Sequence, residues 1–561
     1  MSTFNQLFSK LPVGEQDFTV IRDLGLLYVD KTRYISQLAQ TRKPQVLTRP
    51  RRFGKSTLVS AMEEIFLHGV APYDGHDSYF KGLEIEQLWS QVPWNEGPFY
   101  VLHLDFWALS QNCNSVADFA ELLNDKIVCF AKDAHIDLKI TGNAKPDVFD
   151  LLLDAVPKNS VVLLVDEYDA PWTSFVDAYN DAENKAMVKL LRGFLSKLKT
   201  RSGKFRCTFI TGITRLKDAS IFSAVNNITD ISQDPYFGDI CGVTREELQR
   251  FFPEHLRYAA AQWLQVSEEQ VSSQHVEQLL DEMATWYDGY CFDSDGATHV
   301  FSLWSVLCFF SLRHVKFDTY WYDVGGLPHI LRKSLLQSSW AERLHLLAGG
   351  CLTVDRDAFL SSSSLATMQP EVLLFQTGYL TLKAPYGADV SLGVPNKEIT
   401  SALTRVYYKE LLPHAEDQLD AFIAKLCAAI ETHDATALQQ CFNKVLHSVD
   451  YEHYPLTQES SVTACLYIAI SLALLVRVVV NHHESQGRAD MLFDWQHTTV
   501  VIEFKYAHKL SETSALLQQA VEQVKDRDYG DTIAQQPYLW RLAMVFCAES
   551  RKITDVQVVS E

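Results

Sequence analysis

Two hydrophobic patterns alternate through the first half of the chain. Short apolar runs predict buried strands, and the longer stretches between them repeat apolar positions at helical spacing. Strands that alternate with helices favour an α/β fold, in which a largely parallel sheet is flanked by helices. The predicted strands are 45–48, 99–106, 161–168 and 206–213.

The predicted helices each carry one apolar face. In the stretch that follows the Gly-Lys-Ser sequence at 54–56, we expect Glu63 and Glu64 to turn away from the core. The apolar positions of that stretch are Leu58, Met62, Ile65 and Phe66. Residues 180–200 repeat the pattern, so we expect another long helix there.

The pattern changes near residue 243, where helical stretches become dominant. Thr244 and Glu247 have the spacing of a capping box, and a helix-rich region follows to about residue 345. The serine run at 361–364 predicts an exposed loop, and a small β-containing module follows it before helices return near 415. We therefore predict three parts, a sheet domain, a helical and mixed middle region and a C-terminal α/β domain, at 1–242, 243–414 and 415–561.

The longest apolar run, residues 463–480, is almost long enough to span a bilayer. However, Arg477 lies inside the run, and β-branched residues crowd only its second half. A buried helix over 459–474 that leads into a buried strand over 475–481 explains both observations. We favour that interpretation over a membrane span.

Composition and charge favour a soluble globular protein. Of the 561 residues, 47% are hydrophobic and 21% are charged, and the formal net charge is −20. A chain this acidic does not bind nucleic acid through a broadly basic surface, which leaves a local basic channel or bound metal ions as routes to it. The eleven cysteines form no C-x-x-C pair, and the first residues lack a basic segment before an apolar core. We expect reduced thiols, no secretion signal and a cytoplasmic location.

The sequence LTRPRRFGKST at 47–57 looks like a phosphate-binding loop that lacks one glycine. The pattern G-x-x-x-x-G-K-[ST] requires glycine at position 49, where this chain has Arg49. The glycine and lysine that act on phosphate are present, as is a serine hydroxyl that can ligate Mg²⁺. The candidate nucleotide-binding residues are Gly54, Lys55, Ser56 and Thr57. Taken alone, the loop could equally be a basic turn before a helix.

A second motif favours the nucleotide site. The predicted strand over 161–168 ends in Asp166 and Glu167, as a Walker B strand does. In such a strand the aspartate holds Mg²⁺ and the glutamate polarises the attacking water. The alternative is a buried strand that ends in acids by chance. Because both motifs occur in the expected order, we favour an ATP site with Asp166 as metal ligand and Glu167 as catalytic base.

Polar residues also lie at the end of the next predicted strand, over 206–213. Thr211 and Thr214 lie where ATPases of this kind place a residue that senses the γ-phosphate. Arg215 could contact phosphate or lie in a solvated loop, and we favour the solvated loop. The strand over 99–106 lies between the two motifs, as an additional strand does in ATPases that carry a catalytic glutamate.

Seven short motifs occur in order along nearly the whole chain: YVDKTRYI, RPRRFGKST, LLVDEYDAP, FITGITR, WYDGYCF, LLFQTGYLT and VPNKEI. Together they resemble the bacterial AAA-ATPase-like family whose members end in a PD-(D/E)xK nuclease-like domain. In that family the loop itself reads R-P-R-R-x-G-K-S, so the resemblance implies that Arg49 is a family trait. It also implies ATP binding through Lys55 and Ser56, and magnesium at Asp166.

The C-terminal part carries two carboxylates and a lysine in an arrangement suited to metal-dependent phosphodiester cleavage. Glu503 and Lys505 lie two apart on a predicted strand and therefore share a face. Asp490 lies thirteen positions before Glu503, and a turn around 494–498 would bring the two carboxylates together. Asp490 and Glu503 could then hold Mg²⁺, or Mn²⁺, which activates water, while Lys505 orients that water.

The spacing D-x12-E-x-K resembles the PD-(D/E)xK nuclease signature. The alternative is an exposed Glu–Lys pair on the solvent face of a strand. Glu459, at the start of the apolar helix, is either a further active-site carboxylate or an acid that caps the helix. A polar helix near 514–528, with Gln519 and Gln523, follows the strand as it does in that nuclease fold.

Two functions compete. In the preferred hypothesis, the protein hydrolyses ATP, and its ATPase module regulates a Mg²⁺-dependent DNA endonuclease. In the runner-up, a nucleotide-switched signalling or scaffolding ATPase uses its nuclease-like domain only to bind a partner. The expected partners are ATP and DNA, with no membrane. A homo-oligomer, in which a neighbouring subunit supplies an arginine finger, is compatible with either function.

Overall fold

The structure, a computed structural model, contains two compact units. The first comprises Met1–Arg332 and Leu352–Glu398, and the second comprises Lys333–Cys351 and Ile399–Glu561. The predicted division into three parts stays a prediction. The residues that the structure describes are 7–139, 147–176, 180–215, 227–323, 346, 349–360, 368–411, 419–449, 455–474, 476, 478–484, 487–526 and 536–559. The predicted serine loop at 361–364 lies outside them.

A five-stranded parallel sheet organises the first unit. Its strands are β1 (Gln45–Thr48), β2 (Tyr100–Asp105), β3 (Val161–Asp166), β4 (Phe205–Gly212) and β5 (Thr229–Asp230). The first four confirm the predicted strands. Their order across the sheet is β2-β3-β4-β1-β5, and every pairing is parallel. Strand β4 therefore separates β1 from β3, whereas β2 lies at the edge. Sequence order could not show this, because parallel neighbours are joined by long crossovers.

Helices and short strands complete the first unit. The helices are α1 (Phe18–Asp23), α2 (Thr32–Leu38), α3 (Lys55–His68), α4 (Ile85–Leu88), α5 (Phe106–Ser110), α6 (Val116–Asp133), α7 (Val148–Ala155), α8 (Ala170–Ser174), α9 (Asp181–Thr200), α10 (Arg245–Phe251), α11 (Pro253–Leu264), α12 (Ser273–Tyr287), α13 (Leu303–Ser311), α14 (Tyr320–Asp323), α15 (Arg356–Leu360) and α16 (Pro370–Gln376). The short strands are β6 (Tyr290–Cys291), β7 (His299–Val300), β8 (Cys351–Asp355), β9 (Thr381–Leu382) and β10 (Asp389–Gly393). The predicted capping box of Thr244 and Glu247 is present at the start of α10.

Helix α3 follows the phosphate-binding loop and packs against β2 and β3. The four predicted apolar positions of α3 are buried. The prediction that Glu63 and Glu64 turn away from the core is wrong for Glu64, whereas Glu63 is only half-buried. Glu64 is buried and accepts a hydrogen bond of 2.6 Å from the Tyr73 hydroxyl, and Glu63 bonds to His103 on β2 at 2.7 Å. The helix is covered on more than one side, so its polar positions also meet neighbours.

A five-stranded mixed sheet organises the second unit. Its order is β11 (Val478–Glu484), β12 (Gly487–Trp495), β13 (Thr498–Ala507), β14 (Tyr538–Cys547) and β15 (Lys552–Val558). Only β13 and β14 are parallel, and the other pairings are antiparallel. The helices are α17 (Lys397–Leu411), which begins in the first unit, α18 (Leu419–Glu431), α19 (Ala435–His447), α20 (Glu459–Leu474) and α21 (Thr513–Asp526).

The apolar run at 463–480 is a helix followed by a strand, as predicted. Helix α20 ends at Leu474, and β11 begins at Val478. Arg477 lies outside the described residues. Within the part of the chain that the structure describes, we find no helix with both the length and the apolarity to cross a membrane. All eleven cysteines are free thiols.

Candidate functional site

A cavity of about 480 Å³ lies at the carboxyl-terminal edge of the parallel sheet, where the chain enters α3. Residues 51, 52 and 54–57 line one part of it, and the ends of β2 and β3 line another. It brings together all six residues that the sequence singled out for nucleotide and metal binding here: Gly54, Lys55, Ser56, Thr57, Asp166 and Glu167. Two motifs about 110 positions apart thus share one cavity.

Helix α3 begins at the cavity, and the N-terminus of a helix that carries a lysine is suited to an anion. Gly54 precedes the helix with a φ of +95°, a conformation that glycine adopts without strain. Lys55 is only 4% exposed, and its Nζ donates to the carbonyl oxygens of Arg49 at 3.1 Å and Pro50 at 3.0 Å. A phosphate would offer this ammonium a charged acceptor, which forms stronger hydrogen bonds than neutral carbonyls do.

Arg49 anchors the loop and does not line the cavity. Its side chain is 1% exposed, and burial lowers the pKa of the guanidinium. The guanidinium donates to the carbonyl oxygens of Thr48 at 2.9 Å, Ser232 at 2.5 Å and Phe237 at 2.9 Å. It also lies 4.7 Å from the Phe292 ring centroid. The residue in place of the usual glycine therefore ties the loop to the chain that follows β5.

Replacing Arg49 with glycine restores the P-loop pattern, yet we expect it to weaken the protein. The substitution removes the donor from three carbonyl oxygens and empties a buried volume. We expect the free energy of unfolding to fall by roughly 2–4 kcal/mol, together with ATP affinity. Thermal unfolding and titration with a fluorescent ATP analogue measure both effects. The exposed Arg42→Gly variant is the control, and an Arg49→Gly protein with wild-type stability and affinity contradicts the anchoring role.

Asp166 and Glu167 occupy the end of β3. Asp166 is buried, and its Oδ1 accepts hydrogen bonds from the Thr211 hydroxyl and from the Glu167 amide at 3.0 Å. Glu167 adopts a φ of +50° and faces the cavity. Burial raises the pKa of Glu167, although the positive charges of Lys55 and Arg51 oppose the shift. A carboxylate with a raised pKa accepts a proton more readily, as a general base must.

Thr211, near the end of β4, and Thr214, just after it, both contact carboxylates. The Thr211 hydroxyl donates to Asp166, and the amide and hydroxyl of Thr214 donate to buried Asp169. Both threonines are buried, and neither lines the 480 Å³ cavity. Their hydroxyls therefore position acidic residues of the β3 end.

Arg215 is not the solvated loop residue that we expected. Its Nε lies 2.5 Å from Asp230 Oδ2, and its side chain is only 11% exposed. The guanidinium also donates to Gln233 at 3.0 Å. Strand β5 brings Asp230 to this position, and Gln233 follows that strand. The residues around Arg215 in sequence do not reveal these neighbours.

A second cluster lies where β12 separates from β13. The two strands pair from Trp495–Thr498 to Met491–Ile502, which confirms the predicted turn. At the next position, the Asp490 carboxylate accepts the Phe504 amide at 2.8 Å. The Asp490 side chain thus accepts a hydrogen bond from an amide of β13. This bond holds its carboxylate beside the strand that carries Glu503 and Lys505.

Glu503 is completely buried, so the alternative of an exposed Glu–Lys pair is excluded. Its Oε1 accepts a hydrogen bond from Lys505 Nζ at 2.7 Å, and within the described residues its Oε2 has no hydrogen-bond partner. Burial raises the pKa of Glu503 to about 7, and the negative charge of Asp490 adds to the shift. Glu459, the first residue of α20, acts in the same direction. A buried, unpaired carboxylate oxygen among negative charges is suited to a cation.

Helix α21 carries the two glutamines, Gln519 and Gln523, that were predicted for this region. The helix packs against β13 and β14, as predicted for the helix that follows the signature. Gln519 is exposed and Gln523 is half-buried.

Two family descriptions match this chain over the regions that carry these clusters. The family described as "Predicted AAA-ATPase" matches residues 12–222, and the "PD-(D/E)XK nuclease superfamily" matches residues 457–556. The chain contains a AAA-ATPase-like domain and a PD-(D/E)XK nuclease-superfamily domain. The nucleotide-site candidates all fall within the first match, and Asp490, Glu503 and Lys505 fall within the second.

Two further proteins align with most of this chain. One from Azotobacter chroococcum mcd 1, named "Uncharacterized protein in vnfD 5'region", is 26% identical over 98% of this chain and 99% of its own length. The crystal structure of Cdc6p from Pyrobaculum aerophilum covers 72% of this chain and 98% of its own, at 11% identity and a TM-score of 0.23.

Several residues that line the cavity of the AAA-ATPase-like domain were not predicted from the sequence. Asp105 ends β2 in register with Asp166, so the apolar run before it could have indicated its place at the same sheet edge. Leu303, Trp304 and Leu307 of α13 also line the cavity, although they follow the matched family region. Their sequence carries no signal for this, because only the tertiary fold returns α13 to the loop.

Both clusters suit a magnesium ion that takes its other ligands from phosphate and water. No group of three or more His, Cys, Asp or Glu side chains in the described part of the chain forms a complete metal site. Mg²⁺ commonly uses one or two protein carboxylates together with substrate phosphates. The unpaired Glu503 Oε2 beside Asp490 in the nuclease-superfamily domain fits that donor set, as do Ser56 and Asp166 in the AAA-ATPase-like domain.

Proposed function

We propose that this protein hydrolyses ATP in its AAA-ATPase-like domain and that the nucleotide state regulates DNA cleavage by its nuclease-superfamily domain. The observation that supports nuclease activity is the buried Glu503, whose Oε2 has no hydrogen-bond partner in the described part of the chain and which lies beside Asp490 and Lys505. A domain that only binds a partner has no need to bury such a carboxylate. Magnesium ions bound at both sites would neutralise phosphate charge and activate water.

In ATP hydrolysis, the residues that line the cavity would have separate roles. The amides at the start of α3 and the Lys55 ammonium would bind the β- and γ-phosphates. Ser56 and Asp166 would hold Mg²⁺, and Glu167 would take a proton from the attacking water. A narrower cavity of about 70 Å³ shares Gly54 and Thr57 with this site and has a largely apolar lining, which supports binding of the flat base beside the phosphates.

The nuclease site would act through Asp490, Glu503 and Lys505. The two carboxylates would hold Mg²⁺ or Mn²⁺, and the ammonium would orient the water and offset charge in the transition state. The net charge of −20 supports DNA binding in a restricted groove and not over a broad surface. A cytoplasmic location and a homo-oligomer stay predictions.

A chain of hydrogen bonds from the phosphate-binding loop supports regulation. The Arg52 guanidinium donates to the Trp321 carbonyl, and the Trp321 amide donates to Glu398 Oε1 at 2.7 Å. Glu398 is fully buried and also accepts from the Ser305 hydroxyl at 2.8 Å. It lies in the first turn of α17, and α17 continues into the second unit from Ile399 onward. A loop that moves on ATP binding could thereby act on α17.

We therefore expect Glu398→Gln to separate ATP hydrolysis from its effect on cleavage. An amide can accept only one of the two hydrogen bonds well, so the link between Trp321 and α13 weakens. ATP turnover should stay within about threefold of wild type, while the change in cleavage rate that ATP causes should fall by about tenfold. Supercoiled plasmid with Mg²⁺ or Mn²⁺, with and without ATP, measures both rates.

The exposed Glu246→Gln variant of α10 is the matched control for that experiment. The wild-type assay also tests the function itself. If wild type turns over ATP but cleaves no plasmid with either metal, the signalling or scaffolding alternative is favoured and the regulated nuclease is rejected. If cleavage by wild type does not depend on ATP, the regulatory part of the proposal fails.

A further inference from the structure

Three arginines precede Gly54 in the phosphate-binding loop, and two of them serve the fold. Arg49 is buried against backbone carbonyls, as described above. Arg52 donates to the Trp321 carbonyl, and its guanidinium carbon lies 5.2 Å from the Trp304 ring centroid. Both guanidinium groups are therefore held by protein partners, and burial lowers the pKa of each.

Arg51 differs from its two neighbours. It is half-buried and lines the 480 Å³ cavity together with Lys55, Asp166 and Glu167. Within the described residues, no hydrogen bond or ion pair engages its side chain, and only its backbone carbonyl accepts, from Trp321 Nε1 at 3.4 Å. A cation that stays unpaired beside two acidic residues in a cavity has a charge available for a ligand.

The position of Arg51 relative to Glu167 indicates where that charge acts. Arg51 lines the same cavity as Lys55 and Glu167. Lys55 is proposed to bind the β- and γ-phosphates, and Glu167 is proposed to take the proton of the attacking water. A γ-phosphate held between these two groups would therefore lie in the cavity that Arg51 lines.

We propose that Arg51 is a catalytic residue of the ATPase, whose guanidinium contacts the γ-phosphoryl oxygens in the transition state. The inference rests on the proposed ATP hydrolysis. In that step the water oxygen bonds to the γ-phosphorus, the bond from that phosphorus to the β–γ bridging oxygen breaks, and ADP leaves with the electron pair. The water proton passes to Glu167. The loop thus provides within one chain the cation that other ATPases receive from a neighbouring subunit.

The chemistry of the guanidinium predicts which kinetic constant changes. Its planar fork can donate two hydrogen bonds to phosphoryl oxygens, and it stabilises charge that increases as the γ-phosphoryl group is transferred. Arginines in this role contribute about 10³- to 10⁵-fold to the turnover rate in other nucleotide hydrolases. We expect Arg51→Ala to lower kcat at least about 100-fold while the ATP dissociation constant changes by less than about fivefold.

The experiment compares full-length wild type, Arg51→Ala, Arg51→Lys and the exposed-site control Arg42→Ala. Steady-state phosphate release gives kcat and KM, equilibrium titration with a non-hydrolysable ATP analogue gives affinity, and thermal unfolding checks that each variant folds. We expect Arg51→Lys to recover part of kcat, because it keeps the charge without the fork. Wild-type activity per protein chain should not rise with protein concentration, because the cation is supplied within the chain.

The outcomes distinguish this inference from the proposed function. If wild type releases no phosphate and binds no ATP, the proposed ATPase itself fails. If wild type is active and Arg51→Ala keeps kcat within about threefold, Arg51 is not catalytic. A loss of affinity equal to the loss of kcat/KM also overturns the assignment, since Arg51 would then bind ATP and its transition state equally. Activity that rises steeply with protein concentration points instead to an arginine from a second copy.

Discussion

We expect Lys55→Ala to lower the proposed ATP turnover by at least about 10³-fold and to reduce ATP affinity as well. The ammonium is nearly enclosed, and its hydrogen bonds in the structure are to two carbonyl oxygens of its own loop. Alanine leaves the helix start intact but removes the only lysine that lines the described cavity. Phosphate release and nucleotide-analogue binding measure the two effects separately.

The same variant tests whether the nucleotide controls the nuclease. Its cleavage of supercoiled plasmid should no longer change when ATP is added, and cleavage without ATP should equal that of wild type. Lys81→Ala is the control, because Lys81 is an exposed lysine that pairs with Asp77 on the surface of the same unit. If the Lys55→Ala protein hydrolyses ATP at more than about a tenth of the wild-type rate, this cavity is not the ATPase site.

We expect Lys505→Ala to abolish the proposed DNA cleavage and to leave ATP hydrolysis unchanged. The lysine is the hydrogen-bond partner of the buried Glu503 carboxylate, so its removal takes away the water-orienting group and leaves Glu503 without its cation. We expect plasmid cleavage to fall at least about 10³-fold. Breaking a buried ion pair also costs about 3–5 kcal/mol of stability, so unfolding must be measured beside cleavage.

Asp490→Asn separates chemistry from stability at the same site. An asparagine oxygen can still accept the Phe504 amide, so the strand geometry should persist, but the negative charge that would hold the metal is lost. We expect cleavage to fall with little change in thermal unfolding. The exposed Lys552→Ala variant is the control. Cleavage that survives both active-site substitutions would come from a contaminant or from another site, and would refute the assignment of this cluster.

Local pattern was enough to predict most of the elements that carry the sites. The four apolar strands of the first unit and the helix-to-strand transition at 463–480 follow from periodicity over a few residues. The two-residue alternation of a strand also placed Glu503 and Lys505 on one face. Local pattern could not predict contacts between segments that are far apart in sequence. Examples are His103 beside Glu63, Asp230 beside Arg215, and α13 beside the phosphate-binding loop.

The sequence by itself determined which chemical groups are present and in what order: a Gly-Lys-Ser loop, an Asp-Glu strand end, and a D-x12-E-x-K spacing. Tertiary structure alone decided what each group does there. The same residue type, arginine, occurs at 49, 51 and 52, yet carbonyl oxygens contributed by distant segments engage 49 and 52 and leave 51 facing the cavity. Burial and long-range neighbours set hydrogen bonding and charge, and neither is encoded in local spacing.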